Sequence, residues 1–118
     1  MPTIEEARAW YDERDPVHGF DHVLRVLDLS QRLGRELGAD LEIVRAAALL
    51  HDASGAHPTE GGRENHQQAS AEFARGVLER EGWEGGRIEA VLHCIRAHRF
   101  RSREAPATLE AQVLFDAD

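Results

Sequence analysis

The sequence predicts an all-α domain of five or six helices. Apolar residues recur at intervals of three and four residues along most of the chain, as they do on one face of an α-helix. Residues that begin and end helices stand at the borders of these segments, and no alternating β-branched run predicts a strand. At 118 residues the chain has the size of one domain with one core.

The helix borders are marked by residues whose chemistry suits them. Thr3 and Glu6 form a capping box, Asp40 and Thr108 can accept hydrogen bonds from first-turn N–H groups, and Gly38 can end a helix in the left-handed conformation. Between the third and fourth helices, the glycines and proline of residues 53–62 predict a loop. We expect helices over residues 4–15, 18–37, 41–52, 64–81, 87–98 and 109–118.

The composition excludes several classes of function. A formal charge of −8 argues against binding of long nucleic acids, whose affinity depends on neutralising phosphates. All fourteen basic residues are arginine, which excludes Schiff-base chemistry and a phosphate-loop lysine. Cys94 stands alone, so a thiolate zinc site is excluded and a reducing cytoplasm is the expected location. No apolar run approaches the roughly 20 residues needed to span a bilayer, so we expect no membrane contact.

A histidine and an aspartate, His51 and Asp52, follow the apolar segment 46–50 directly. Burial of an ionisable pair is costly unless a partner or a metal compensates. A helix C-terminus, with the histidine at the dipole and the aspartate in the turn, is the alternative interpretation. His22 upstream and Asp116 downstream also lie among apolar residues, which favours a metal site. Two imidazoles and two carboxylates suit manganese, iron, zinc or nickel, and such an ion lowers the pKa of a bound water.

Three segments resemble the HD-domain superfamily of metal-dependent phosphohydrolases: residues 19–26 around His22, Leu49-Leu50-His51-Asp52, and Phe115-Asp116-Ala117-Asp118. The resemblance covers essentially the whole chain, residues 1–118, as a single HD domain. It implies a helical bundle around one divalent metal ion, with manganese favoured and magnesium also considered. The ligands that it implies are His22, His51, Asp52 and Asp116.

The resemblance also implies an activity. It is closest to a small bacterial subgroup similar to nucleotide pyrophosphohydrolases, so we expect hydrolysis of a small phosphorylated compound. A nucleoside triphosphate, cleaved to monophosphate and pyrophosphate, is the first expectation, and a monophosphate is the second. The alternative from another class is a non-catalytic HD module that binds metal or nucleotide for regulation or assembly.

Further polar residues are candidates for catalysis and substrate binding. Glu60, His66 and His98 could move protons alongside Asp52. The alternative is that they have no catalytic role, as is common for loop glutamates and for polar residues at helix starts. His18 lies four residues before His22 and could line the substrate pocket, or it could be a surface residue. Guanidinium groups bind phosphates, and a solvated loop is the alternative for the arginine cluster. That cluster comprises Arg96, Arg99, Arg101 and Arg103.

The chain ends two residues after Asp116, where members of the family continue through further helices. We therefore expect a domain cut short after its last ligand. Val113, Leu114 and Phe115 are three consecutive apolar residues on the last helix, so at least one should face away from the side that docks. Such an exposed patch is typical of a partner surface, and we expect a homodimer in which a second chain covers it.

Overall fold

The computed structural model describes residues 3–9, 20–51, 66–98 and 105–117, with side chains throughout except those of residues 66–69. These parts hold six helices and no strand, which confirms the all-α prediction. The helices are α1 (Ile4–Arg8), α2 (Phe20–Leu37), α3 (Leu41–Leu50), α4 (His66–Arg80), α5 (Gly85–Arg96) and α6 (Leu109–Ala117).

The caps predicted from the sequence are present. Thr3 accepts a hydrogen bond from the Glu6 N–H at 3.1 Å, and Asp40 accepts from the first turn of α3. Thr108 Oγ1 accepts from the Ala111 N–H at 3.1 Å at the start of α6. These bonds satisfy first-turn N–H groups that have no partner within their own helix, and they fix where each helix begins.

Most helix borders lie within two residues of the prediction, and two of the differences have a visible local cause. Helix α1 ends at Arg8, where the Ala9 N–H bonds the Glu6 carbonyl at 3.2 Å and tightens the last turn. Residues 10–15, which the prediction also placed in this helix, lie outside the described residues. Helix α5 begins at Gly85, two residues early. The Glu84 side chain accepts from the N–H groups of Gly86 and Arg87 at 2.9 and 3.3 Å, so it caps a glycine start that resembles a turn in the sequence.

Helix α3 is the centre of the bundle, in contact with each of the other five helices. Its apolar residues from Ile43 to Leu50 are buried, and Ala46, Ala47 and Ala48 are fully so. Small side chains at these positions leave room for neighbouring helices to approach closely. The site-bearing C-terminus of α3 is therefore carried by the most enclosed element of the fold.

Helices α3 and α5 run parallel. Near their N-termini, Arg87 Nη1 lies 3.0 Å from Asp40 Oδ2, and Arg87 Nη2 lies 3.0 Å from Glu42 Oε1. At the other end, the rings of His51 and His98 are in contact. Both C-termini therefore reach the same end of the bundle. Among the described helices, none is long and apolar enough to cross a membrane.

The last helix packs onto the domain itself. Val113 and Leu114 are buried and Phe115 is half-buried, with α6 in contact with α2, α3 and α5. The prediction was that at least one of the three faces away from the side that docks, and only Phe115 is partly exposed. The homodimer stays a prediction, without Val113 and Leu114 as its contact surface.

Substitution by alanine is expected to have opposite effects on stability at Gly38 and at Gly76. Gly38 has φ +78° at the end of α2, where an L side chain is strained although no atom lies within 4 Å of an added Cβ. Gly76 lies within α4, where an added Cβ would make only an ordinary 3.5 Å contact with Arg80 Nη1. We expect Gly38→Ala to lower the free energy of unfolding by about 1 kcal/mol and Gly76→Ala to raise it by about 0.5 kcal/mol. Urea unfolding of both variants tests this, and equal signs would contradict it.

Candidate metal centre

His51 is held rigidly where α3 ends. It is the C-cap residue of the helix, its side chain is fully buried, and its Nδ1 lies 2.6 Å from the carbonyl oxygen of Ala48. A carbonyl only accepts hydrogen bonds, so Nδ1 carries the proton and donates it. The neutral ring then has its lone pair on Nε2, the form in which histidine binds a metal ion.

His22 lies in the first turn of α2, beside His51. The two ring centroids are 5.9 Å apart and the rings are tilted by 56°. Metal–nitrogen bonds are about 2.0–2.1 Å, so two imidazoles on one ion have centroids up to roughly 6.5 Å apart. The separation of His22 and His51 therefore fits two ligands of one ion. His22 is half-buried, so this side of the pair is open to solvent.

His98 completes a row of three imidazoles. Its centroid is 5.2 Å from that of His51, with the rings at 83°, edge to face. It follows the C-cap Ala97 of α5, is only 2% exposed, and its Nδ1 is hydrogen-bonded to the Ile95 carbonyl. His51 and His98 thus use the same anchor, a ring N–H donated to the carbonyl three residues earlier.

The two helix ends favour a cation at this place. The last carbonyl groups of an α-helix carry a partial negative charge of about half an electron, and α3 and α5 bring two such ends together. The buried imidazole of His51, with its nitrogen lone pair directed away from its own helix, is a ligand suited to a divalent ion. Donor chemistry and helix dipoles therefore both fit a metal.

In the part of the chain that it describes, the structure does not place the two carboxylates of the predicted ligand set beside the two histidines. Asp116 lies in α6 with its side chain exposed, and Asp52 falls outside the described residues. Among the described residues, no group of three or more His, Cys, Asp or Glu side chains is close enough to hold a metal ion. The structure thus brings His22 and His51 together, and the full set with Asp52 and Asp116 stays a prediction.

Most of the predicted substrate and proton-transfer residues also stay predictions. Arg96 is half-buried in the last turn of α5, and His66 is the first residue of α4. The remaining ones lie outside the described residues: His18, Glu60, Arg99, Arg101 and Arg103. The arginine edge is therefore described only at Arg96.

His93, also on α5, has a different function from His98. Its Nε2 accepts a hydrogen bond of 2.9 Å from the backbone N–H of Ala107, just before α6. It therefore ties the segment that enters α6 to α5.

The thiol of Cys94 takes no part in chemistry at neutral pH. Burial, with a further contribution from the nearby Glu110 charge, raises the pKa of this thiol to about 12. A protonated thiol is a poor nucleophile and a poor metal ligand. Cys94 is thus a packing residue in the core between α5 and α6.

Arg87 was not among the residues selected from the sequence, yet it joins α5 to α3. Burial raises the pKa of the Asp40 carboxyl, but the hydrogen bond from Arg87 and those from the N–H groups of Ile43 and Glu42 outweigh it, so the pKa is lowered. The Arg87 guanidinium also lies over the Trp83 ring, 5.5 Å from its centroid. A spacing signal was available: Asp40 precedes His51 by eleven residues, and Arg87 precedes His98 by the same number.

Asp40→Asn tests this pair by pH. Asparagine caps a helix about as well as aspartate, so the substitution removes the charge and keeps the cap. Because the pKa of Asp40 is lowered in the fold, its contribution is present above the unfolded value of 3.8 and is lost as the pH falls through the folded value. We expect a loss of about 0.5–1 kcal/mol in unfolding free energy at pH 7 that is smaller at pH 3.

Urea unfolding at the two pH values measures it. Glu89→Gln, which breaks the exposed Arg75–Glu89 pair of 2.7 Å between α4 and α5, is the matched control. A deficit of Asp40→Asn that stays constant from pH 7 to pH 3 would contradict the account.

Arg8 is a second residue that sequence reasoning missed. Its guanidinium lies over the ring of Phe20, 4.8 Å from the centroid, at the start of α2. Phe20 is two residues before His22, so a cation lies at the helix end that carries one of the two imidazoles. No signal in the sequence marks Arg8, because the contact joins two helices.

Comparison with known proteins identifies the family. The family model described as HD domain matches residues 19–118, which include both imidazoles of the site. This chain belongs to the HD-domain family. A crystal structure of a predicted HD superfamily hydrolase from an uncultured Thermotogales bacterium has a TM-score of 0.79 and 31% identity, covering 97% of this chain and 61% of that one. A Lactobacillus plantarum protein has a TM-score of 0.73 and 26% identity, covering 100% of this chain and 57% of that one.

Curated relatives share the domain within longer chains. Ribonuclease Y of Chloroflexus aurantiacus is 36% identical over 99 residues, which are 82% of this chain and 17% of that protein. YpgQ of Bacillus subtilis is 30% identical over 126 residues, covering 100% of this chain and 59% of that protein. This HD domain therefore spans from about a sixth to three fifths of the length of these two relatives.

Proposed function

We propose that this HD domain is a metal-dependent phosphohydrolase that acts on a small phosphorylated compound, with a nucleoside triphosphate as the first candidate. The observation that carries the proposal is the pair His22 and His51, 5.9 Å apart, with the tautomer of His51 set by the Ala48 carbonyl. The hydrolase relationship supports the reaction class. The negative charge of the chain favours a small substrate over a long nucleic acid.

Four residues are assigned to metal binding. His22 and His51, together with Asp52 and Asp116, would hold the ion. A bound divalent ion lowers the pKa of water and offsets charge on a phosphoryl oxygen. Manganese is the favoured ion because mixed imidazole and carboxylate sets suit it.

Substrate binding and proton transfer are assigned to the residues around this pair. Arg96, with Arg99, Arg101 and Arg103, would bind phosphate oxygens through paired hydrogen bonds, and His18 would line the pocket. Glu60 or His66 would take a proton from the attacking water and return one to the leaving pyrophosphate.

A substrate panel tests the proposal. The purified protein would be assayed with nucleoside triphosphates, nucleoside monophosphates, a chromogenic phosphodiester and a short RNA, each with manganese, magnesium, nickel or zinc and with a chelator. We expect pyrophosphate release from a triphosphate that requires added metal. Cleavage of the RNA and of no other compound would show that the substrate is RNA and not a small phosphorylated compound. Metal binding without turnover of any compound would select the non-catalytic HD module and overturn the proposal.

A further inference from the structure

We propose that His98 is a positioning residue that fixes the ring of His51 for metal binding, and that the Arg87 ion pairs set the register that brings the two rings together. The inference rests on the proposed function, because it takes His51 as a metal ligand. Three features carry it: the edge-to-face contact of the rings at 5.2 Å, the burial of His98, and the anchoring of its Nδ1 on Ile95.

The register follows from helix geometry. Eleven residues of an α-helix make three turns to within about 20°, a rise of roughly 16 Å. Asp40 and His51 are the N-cap and C-cap of α3. Arg87 lies in the first turn of α5 and His98 follows its C-cap, so each pair spans the length of one helix. The 3.0 Å contact between Arg87 and Asp40 joins α3 and α5 at one end, and the ring contact joins the same two helices at the other end. A slip of α5 along α3 by one turn would break both contacts together.

The contact restrains the ring of His51 from a direction that the Ala48 bond does not cover. That hydrogen bond fixes one nitrogen, and the ring can still tilt about it. An imidazole meeting it at 83° restricts the tilt. Edge-to-face aromatic pairs attract at centroid separations of about 4.5–7 Å. His98 is itself fixed by Ile95, so the restraint comes from a rigid group.

Proton transfer is less consistent with the surroundings of His98. At 2% exposure it has little surface for a substrate or a water to reach, which argues against proton transfer to the reacting groups. A third imidazole ligand would need a nitrogen lone pair, so a variant with a ring but no nitrogen separates that function from positioning. A residue that contacts a metal ligand affects metal binding by orienting that ligand. Loss of such a residue typically weakens metal binding 10- to 100-fold.

The test measures manganese binding directly, by titration calorimetry with the electron paramagnetic resonance signal of the ion as a second readout. We expect His98→Ala to raise the Kd for manganese at least 10-fold. His98→Phe keeps a ring beside His51 but loses the hydrogen bond to Ile95, so it should raise the Kd clearly less than His98→Ala does. Should His98→Ala fail to fold by thermal unfolding of the metal-free protein, His98→Leu takes its place in the comparison with His98→Phe.

The outcomes separate the alternatives. A phenylalanine variant that binds manganese no better than the alanine variant would show that the ring contact does not restrain His51, and it would overturn the inference. An alanine variant that binds manganese like the wild type would also overturn it and leave the proposed function standing. A wild type that binds no manganese would instead refute the proposed function itself.

The Arg87 ion pairs are tested in the same titration. Arg87→Gln removes the contacts to Asp40 and Glu42 at the far end of the bundle, and we expect manganese affinity to fall severalfold. Arg75→Gln breaks a single exposed pair of 2.7 Å from α4 to the same helix α5, and it should leave affinity unchanged. Equal manganese affinity in the two variants would contradict the claim that the Arg87 ion pairs set the register of α5 against α3.

Discussion

His51→Ala is expected to lower kcat/KM for the cleaved phosphate by about a thousandfold or more, because without its ion the pKa of the attacking water stays far above neutral. The side chain is fully buried and its nitrogen lone pair has no replacement in alanine. Metal content by mass spectrometry should fall with activity. A chelator should reduce the wild type to the level of the variant.

The control for this prediction is His93→Ala. It removes a histidine of α5 that bonds the Ala107 N–H, so it tests the loss of an imidazole away from the row of rings. It should keep both metal and kcat. Thermal unfolding of metal-free proteins separates the loss of a ligand from the loss of the fold. Retained activity in a folded, metal-depleted His51→Ala would contradict the metal centre.

The largest effect on stability is expected from Leu49→Ala. Leu49 is fully buried in α3, the helix that contacts all five others, so truncation leaves a cavity that the surroundings can fill only in part. We expect the free energy of unfolding to fall by about 2–5 kcal/mol. Urea unfolding at constant pH measures the difference.

Leu37→Ala is the matched control for this cavity. Its side chain, on α2, is 56% exposed, so the same truncation removes little buried surface. It should change the free energy of unfolding by no more than about 0.5 kcal/mol. Equal losses in the two variants would show that α3 is not the centre of the core.

Local chemistry explains why much of the fold could be predicted. Asp40 and Thr108 cap because their side-chain oxygens reach N–H groups two or three residues on, and Gly38 ends α2 because it tolerates a positive φ. Such effects depend on a few neighbouring residues and are readable in one sequence. Glu84 was missed because glutamate is an uncommon cap and the two glycines after it indicate a turn.

The site was predictable in part. His22 and His51 stand out as ionisable residues next to apolar runs, and the family resemblance joins them although 29 residues separate them. The contact of His98 with His51 and the ion pairs of Arg87 depend on how α5 lies against α3, which no local pattern encodes. Only the repeated eleven-residue spacing hints at that packing, and it has meaning once the two helices are known to be parallel.

The most direct measurement is anomalous diffraction at the manganese absorption edge from crystals grown with manganese. The account predicts one strong peak within about 2.0–2.2 Å of Nε2 of His51 and of a ring nitrogen of His22. A peak elsewhere in the molecule, or none beside these two rings at full manganese occupancy in solution, would contradict it.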